Sequence, residues 1–446
     1  MPKPHKYQAD ASEFAKEKKF SYIAADMGLG KTLIALTWAT SIEAPVIIVS
    51  PLRGVYTTWP DEIKKWFPGT TYAILHGEDK DYAISRNVKF YITNYESLQW
   101  LFDKLITLYK SKKSIPFKAM IIDEGSMTKS WRTKRFKVLK QVRDLCTKGI
   151  IVLSGTPNPN SMMDLWSQYY ILDKGKRLGS GITKFQTTFF DQNQYCRFKY
   201  DLKPGAEEQI YNLVKDITYR LDAADHNLDV PAKVDNMIKV PMPKEIKAKY
   251  KELEKNFLME LEDVTVTATF AAAKSMKLRQ LVQGALYHDD QGSYKVIHKA
   301  KLDVLKSLVE EAGGQGILCP IQFRFEKEMI RKAFPEVPVI AGGEKYNITS
   351  LVKEWNKGNI PLLLCHPASL SHSVNMQQGS HLLVWYSLPW SLEQYLQLTA
   401  RLHRQGQTKT VISHHLIMEG SIDEKVVKAL TAKDKGMRSF LEALKR

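Results

Sequence analysis

Asp26-Met27-Gly28-Leu29-Gly30-Lys31-Thr32 places two glycines, a lysine and a hydroxyl between an apolar run, Phe20 to Ala25, and a segment in which Leu33 to Leu36, Trp38 and Ala39 carry helical spacing. A strand, a glycine-bearing turn and a helix in that order make a cradle for phosphate. The glycines let backbone N–H groups face the phosphates, Lys31 reaches the β/γ-phosphates, and the Thr32 hydroxyl is suited to Mg²⁺. Met27, Gly28, Leu29, Gly30, Lys31 and Thr32 are therefore the candidate nucleotide-binding residues. Ala25 stands where the full Gly-x4-Gly-Lys-Thr pattern has its first glycine. Upstream, Gln8 offers an amide donor and acceptor that match an adenine edge.

A chain of 446 residues is too long for one ordinary core and is expected to form roughly two to four domains. Hydrophobic residues make up 44%, which excludes a disordered chain. The net charge of +17 favours a polyanionic partner, nucleic acid first. Cys146, Cys196, Cys319 and Cys365 form no Cys-x-x-Cys pair, so neither a zinc site nor a disulfide scaffold is expected, and the pattern fits a reducing interior. No apolar run approaches the roughly 18 residues of a membrane span. The expectation is an intracellular, cytoplasmic protein with no membrane segment.

From Ala44 onward, short apolar runs alternate with amphipathic segments: Val46 to Pro51, Trp59 to Trp66, Tyr72 to Leu75, Phe90 to Thr93 and Ala119 to Ile122. Near-continuous apolar strands separated by helices indicate a parallel sheet covered on both faces. Such sheets bind ligands at the carboxyl ends of their strands. There Asp123 can supply the second anionic Mg²⁺ ligand, and Glu124 can orient and deprotonate an attacking water. Gly149 to Leu153 is another buried run, ending in Ser154-Gly155-Thr156-Pro157. Ser154 and Thr156 at that tip either sense the γ-phosphate or form a plain turn.

Between Asn158 and Gln283 the alternation stops and helical spacing dominates, as in Lys244 to Leu261. Phe185 to Tyr200 interleaves aromatics with Lys184, Arg197 and Lys199. That mixture suits stacking on unpaired bases, or it is the core of a helical insertion. Strand-like runs resume at Gly316 to Cys319, Val337 to Ile340, Leu362 to Cys365, His381 to Trp385 and Val411 to Leu416. This second sheet has no phosphate loop and is expected to serve the first one's nucleotide. On a helix, Gln397, Arg401 and Arg404 share one face. A guanidinium pair aimed at a triphosphate is an arginine-finger arrangement, worth about 10³ to 10⁵ in rate.

The set resembles a superfamily-two helicase of the Swi/Snf-type DNA translocase group. The resemblance rests on Gln8, Asp26 to Thr32, Ser50-Pro51, Thr93 to Glu96, Asp123-Glu124-Gly125, Ser154 to Pro157, Leu278-Arg279-Gln280, Val374 to Gln377, Gln397 to Gln407 and Ser421 to Glu424. The compact chain is similar to phage-encoded members that act on branched DNA. The resemblance implies an α/β fold of two RecA-like parallel-sheet lobes sandwiching ATP, residues 1–170 and 284–446, with a mainly helical insertion at 171–283. It implies ATP and Mg²⁺ as cofactors, Lys31, Glu124, Arg401 and Arg404 as catalytic groups, and Gln397 near the nucleotide. Ser154, Thr156, Asn375 and Gln377 would couple hydrolysis to movement. Nucleic acid would be gripped near Pro51, Thr93, Gln322 and Asn375, with Arg197 and Lys199 as further candidates.

Ser126 departs from a usual histidine, Ser371-His372-Ser373 from a glycine-containing stretch, and Ala400 from a common glycine. The expected function is ATP-dependent translocation on duplex, forked or four-way-junction DNA with branch migration, alongside replication or recombination proteins. Conventional unwinding of DNA or RNA is the alternative within the same chemistry. A non-catalytic scaffold would require the loss of Lys31, Glu124 or Arg404, all of which are present.

Overall fold

The computed structural model describes residues 3–26, 28–112, 115–158, 161–192, 200–222, 225, 230–262, 268–289, 292–344, 347–370 and 374–443. The chain forms two compact units, residues 1–228 with 433–446, and residues 229–432.

The first unit carries β1 (Phe20–Ala25), β2 (Val46–Ser50), β3 (Tyr72–Ile74), β4 (Phe90–Asn94), β5 (Ala119–Asp123) and β6 (Gly149–Ser154). A hairpin, β7 (Phe190–Gln192) and β8 (Tyr200–Leu202), follows, and then β9 (Thr218–Leu221). The large sheet runs β3-β4-β2-β5-β6-β1-β9, with every pairing parallel. Its strands are apolar because helices cover both faces. β2 and β6 are buried along their whole length. Connections from β1 to β2 and from β2 to β3 step one way across the sheet, whereas those from β4 to β5 and from β5 to β6 step the other way. Right-handed crossovers therefore put the Lys31–Thr40 and Thr58–Trp66 helices on one face and the Leu98–Lys112 and Lys134–Val142 helices on the opposite face. The registers Val49↔Ile122, Asp123↔Leu153 and Ala24↔Ser154 align the carboxyl ends of the central strands.

The second unit holds β10 (Lys233–Val240), the small pair β11 (Ala285–Tyr287) and β12 (Tyr294–Val296), and β13 (Ile317–Pro320). It continues with β14 (Val339–Ile340), β15 (Leu362–Cys365), β16 (Leu382–Trp385) and β17 (Val411–Met418). The six-stranded sheet, β10-β17-β16-β13-β15-β14, is again all parallel. The two RecA-like parallel sheets expected from the sequence are thus present.

The expected boundaries at 170 and 283 fall inside the two units, which divide the chain at 228/229 and 432/433. Segment 171–283 is shared between the units: β9 extends the first sheet beside β1, and β10 pairs with β17 along its whole length in the second. Neither strand had an apolar signal. β9 is four residues interrupted by the polar Arg220, and β10 is an edge strand exposing Val234, Asp235, Asn236 and Met237. Phe185, Phe189 and Phe190 are buried against one another, so these aromatics are core rather than a stacking surface. Arg197 and Lys199 lie outside the described residues. Among the described residues no helix is long and apolar enough to cross a membrane.

Candidate active site

The phosphate loop leaves β1 and enters the Lys31–Thr40 helix through Gly28 and Gly30, with φ of 89° and 74°. Those left-handed conformations favour glycine. Gly30 has a second constraint, because a Cβ there would sit 2.3 Å from Gln8 Nε2. Ile34 N–H is the first to bond back, to Gly30 O at 3.2 Å. The N–H groups of Lys31, Thr32 and Leu33 thus have no intrahelical acceptor and form an anion site at the helix start. Met27 lies outside the described residues.

Gln8 sits against the loop itself: its Nε2 donates to Leu29 O (3.1 Å), and its Oε1 accepts from His5 N (3.0 Å). Its amide thus bonds the chain itself and fixes the loop's shape.

Lys31 Nζ donates to Ala25 O (2.8 Å) and Asp26 O (3.2 Å). Desolvation lowers its pKa, and the carboxylates of Glu124, Asp26 and Asp123 oppose that shift. The ammonium therefore lies in the field of the acidic pair, which favours its charged form against burial.

Asp123 ends β5, and its Oδ2 accepts from Ser50 Oγ (2.8 Å) and Trp59 Nε1 (3.0 Å). Burial raises its pKa against those two hydrogen bonds. Glu124 follows in a left-handed conformation, φ 61°, a strained backbone state for a residue with a side chain. Tyr95 Oη secures the turn by donating to the carbonyls of Asp123 (2.6 Å) and Glu124 (3.3 Å). Gly125 must remain small, because a Cβ would meet Val152 Cγ1 at 2.5 Å. Ser126, at the departure from histidine, donates its hydroxyl to Glu124 Oε1 at 2.9 Å.

At the tip of β6, Ser154 Oγ accepts from Thr156 N (3.1 Å), and Thr156 Oγ1 is buried with no hydrogen-bond partner. That orphan hydroxyl marks a polar demand the chain does not meet by itself. Behind it, Gln168 donates to Pro157 O (2.6 Å) and accepts from Tyr22 Oη (2.8 Å), tying the tip to β1.

Pro51 and Thr93 stand at the expected carboxyl edge, but both are buried, and Thr93 Oγ1 donates to Leu75 O (3.1 Å). Their side chains are thus not exposed for a nucleic-acid grip. Among the described side chains beside Pro51, Leu52 (43%) and Tyr56 (50%) are exposed.

In the second unit the shared helical face of Gln397, Arg401 and Arg404 is not formed. The helix is Leu392–Thr399, so both arginines follow its end in a turn leading to Gly406, φ 90°. Arg401 is buried and donates to Gln397 O and Val374 O, both at 3.1 Å. Arg404 Nη1 donates to Asn375 Oδ1 (2.5 Å), and burial lowers the guanidinium's pKa. Gln397 is buried and donates to Glu393 Oε1 (3.4 Å). Gln407 Nε2 reaches Gln377 O, 2.9 Å, and Ser380 O, 3.0 Å. Two loops are therefore interlocked, one with Asn375 and Gln377, the other with Arg401 to Gln407. Gln322 N donates to Glu326 Oε2 (2.6 Å), while its Nε2 is a buried orphan. Ser371 to Ser373 lie outside the described residues.

Sequence reasoning missed Arg220, on β9. Its guanidinium bonds Ala24 O, Leu221 O and the Asp26 carboxylate beside the phosphate loop. A lone arginine in a short polar run carries no sequence signal for that role.

A family model described as the SNF2-related domain matches residues 15–291. Putative protein p41 of Acyrthosiphon pisum secondary endosymbiont phage 1 is 33% identical over 99% of both chains. The putative ATP-dependent helicase/translocase YwqA of Bacillus subtilis is 24% identical over 96% of this chain and 47% of its own length. The CHD3-type chromatin-remodeling factor CHR7 of Arabidopsis thaliana is 26% identical over 95% of this chain and 36% of its own. The chain thus matches the phage protein end to end and spans less than half of these two cellular relatives. Among solved structures, the Sulfolobus solfataricus SWI2/SNF2 ATPase core in complex with dsDNA is similar at 24% identity and a TM-score of 0.45, covering 100% of this chain and 95% of that one.

Proposed function

The chain belongs to the SNF2-related domain family and is a DNA-dependent ATPase of that group, and from that premise we propose that it translocates on duplex DNA and remodels forks or four-way junctions. The observation that carries the reading is the Lys31 ammonium in the field of Asp123 and Glu124, beside the open start of the Lys31–Thr40 helix. Lys31, Asp123 and Glu124 are thereby gathered at one sheet edge, which supports the reading.

Lys31 and the first-turn N–H groups bind the β/γ-phosphates. The Thr32 hydroxyl and the Asp123 carboxylate are hard oxygen donors of the kind Mg²⁺ takes. Burial, which penalises the Asp123 anion, also favours a cation beside it. The metal, when bound, neutralises charge on the phosphate oxygens. Glu124 accepts the proton of the attacking water, its carboxylate oriented by Ser126. Arg401 and Arg404 supply guanidinium charge to the transition state, and Thr156 Oγ1 is left to sense the γ-phosphate.

The charge of +17 supports a polyanionic track. The name of the Bacillus subtilis relative supports translocation. The source of the phage relative supports a setting in a bacterial host's cytoplasm.

The test is steady-state ATP hydrolysis at fixed low salt, without nucleic acid and then with single-stranded DNA, linear duplex, a four-way junction and RNA. Strong stimulation by duplex and junction is expected. Stimulation by single strands or RNA alone would overturn duplex translocation.

A further inference from the structure

Between Lys129 and Lys148 the sequence carries eight lysines or arginines and a single acid, Asp144. The structure turns much of this charge outward. Phe136, Val138, Leu139 and Val142 bury one side of the Lys134–Val142 helix, leaving Lys134, Lys137 and Lys140 exposed. Arg132 before the helix and Lys148 after it are also exposed. The neighbouring acids are already engaged: Asp144 pairs with Arg143 and Lys174, and Glu96 pairs with Arg135. Among the described residues no carboxylate pairs with Arg132, Lys134, Lys137, Lys140 or Lys148. Lys134, Lys137 and Lys140 share the exposed side of one helix, with Arg132 and Lys148 exposed before and after it in the sequence, and like charges so gathered gain from a polyanion with regularly spaced charge.

We propose that this stripe is a second phosphate-backbone surface, which takes a duplex arm leaving the main DNA track. The inference rests on the reading of branched DNA as substrate. The expected track lies at the carboxyl edge of the sheet, near the ends of β2 and β4. The stripe follows a helix on one face of the sheet, opposite the Lys31–Thr40 and Thr58–Trp66 helices, and runs away from that edge. From Lys134 to Lys140 the helix rises about 9 Å, which matches roughly three phosphates of one strand. Two aromatic rings add rigidity: Arg132 lies over Trp131, 4.9 Å to the centroid, and Lys140 over Tyr170 at 4.8 Å. The stripe's other end joins Glu124 through the Gly125–Thr128 turn, so an arm held there lies a short span of chain from the hydrolytic base.

The test replaces Arg132, Lys134 and Lys137 by Gln together in the full chain. Binding to a four-way junction and to a linear duplex is titrated across salt, and duplex-stimulated ATP hydrolysis is measured in parallel. The expected result is a junction slope of log affinity against log salt that falls by about 2 to 3. Linear-duplex binding and duplex-stimulated turnover should stay within about twofold of wild type, and a matching triple variant that retains positive charge (Arg132→Lys, Lys134→Arg, Lys137→Arg) should keep the wild-type slope. An unchanged junction slope would overturn the proposal and leave an acidic protein as the partner. Equal losses on junction and duplex would also overturn it, by making the stripe part of the main track. Failure of wild-type duplex to stimulate hydrolysis would instead sink the translocase reading, so the two failures are distinguishable.

Discussion

Arg220 Nη2 lies 2.9 Å from Asp26 Oδ1, and Nη1 of the same guanidinium bonds Ala24 O and Leu221 O. Asp26 N in turn donates to Leu221 O at 3.0 Å. One edge strand therefore fixes the point where β1 becomes the phosphate loop. The Arg220 side chain is buried while Asp26 is about one-third exposed, so the carbonyl bonds matter more than the ion pair. Arg220→Met should cost about 1.5 to 3 kcal/mol of stability and raise KM for ATP about tenfold, with kcat little changed, whereas Arg220→Lys should recover part of the KM. Initial rates and denaturant melts check this; an unchanged KM would reduce Arg220 to a packing role.

Glu124→Gln should retain ATP binding and lose about 10² to 10⁴ in turnover, the usual worth of a general base. Ser126→Ala frees Glu124 Oε1 from its 2.9 Å hydrogen bond and should lower kcat about tenfold without moving KM. Ser126→Thr, which keeps a hydroxyl, should recover most of it. Single-turnover hydrolysis beside nucleotide binding separates these outcomes. Near-normal turnover in Glu124→Gln would remove it from its role.

The legible parts of this molecule were those with periodic or punctuated patterns. β2, β5 and β6 are buried on both faces, so they read as continuous apolar runs, and the groups at their carboxyl ends followed from that. The helical face of Arg401 and Arg404 was misread, because spacing of three and four assumes a helix that here ends at Thr399. Thr93 and Pro51 were placed at the correct strand ends, but sequence carries no measure of burial, and both are covered. β9 and β10 escaped because an edge strand needs no apolar alternation. Arg220 escaped with them, since its partners are set by the pairing of β9 with β1, across nearly the whole first unit.

Glu326 predicts a pH dependence confined to the second unit. Its carboxyl is buried, and Oε2 accepts from Gln322 N, Phe323 N and Ser387 Oγ, while Oε1 has no partner. Desolvation outweighs those bonds and raises its pKa from 4.5 to about 7. Between those values the folded chain holds a proton that the unfolded chain has lost. Stability should therefore fall as pH rises from 4.5 to about 7 and level off above, by a few kcal/mol at most, since each unit is worth about 1.4 kcal/mol. Glu326→Gln keeps the shape without the charge and should flatten this profile. Denaturation midpoints across that range measure it, and an identical slope in the variant would refute the assignment.

Lys301 carries the strongest stability prediction, because its ammonium has every proton engaged in the core. Nζ donates to Asp423 Oδ2 at 2.6 Å, Gln283 Oε1 at 2.8 Å and Tyr386 O at 3.2 Å. Asp423 also accepts from Gln283 Nε2 and Met418 N. The three side chains are 1%, 1% and 4% exposed for Lys301, Gln283 and Asp423. The network ties the end of the Ala268–Val282 helix to the start of the Ile422–Ala443 helix, joining two stretches that the sequence offered only as separate signatures. Lys301→Met strands a buried carboxylate and should cost about 3 to 5 kcal/mol. Adding Asp423→Leu removes that charge and should return much of the loss, as apolar replacement of buried pairs does. Urea denaturation of the two single variants and the double variant closes the cycle. If the losses simply add, Lys301 and Asp423 are independent packing positions. If the double variant is more stable than Lys301→Met alone, the cost lies in the unpaired ion.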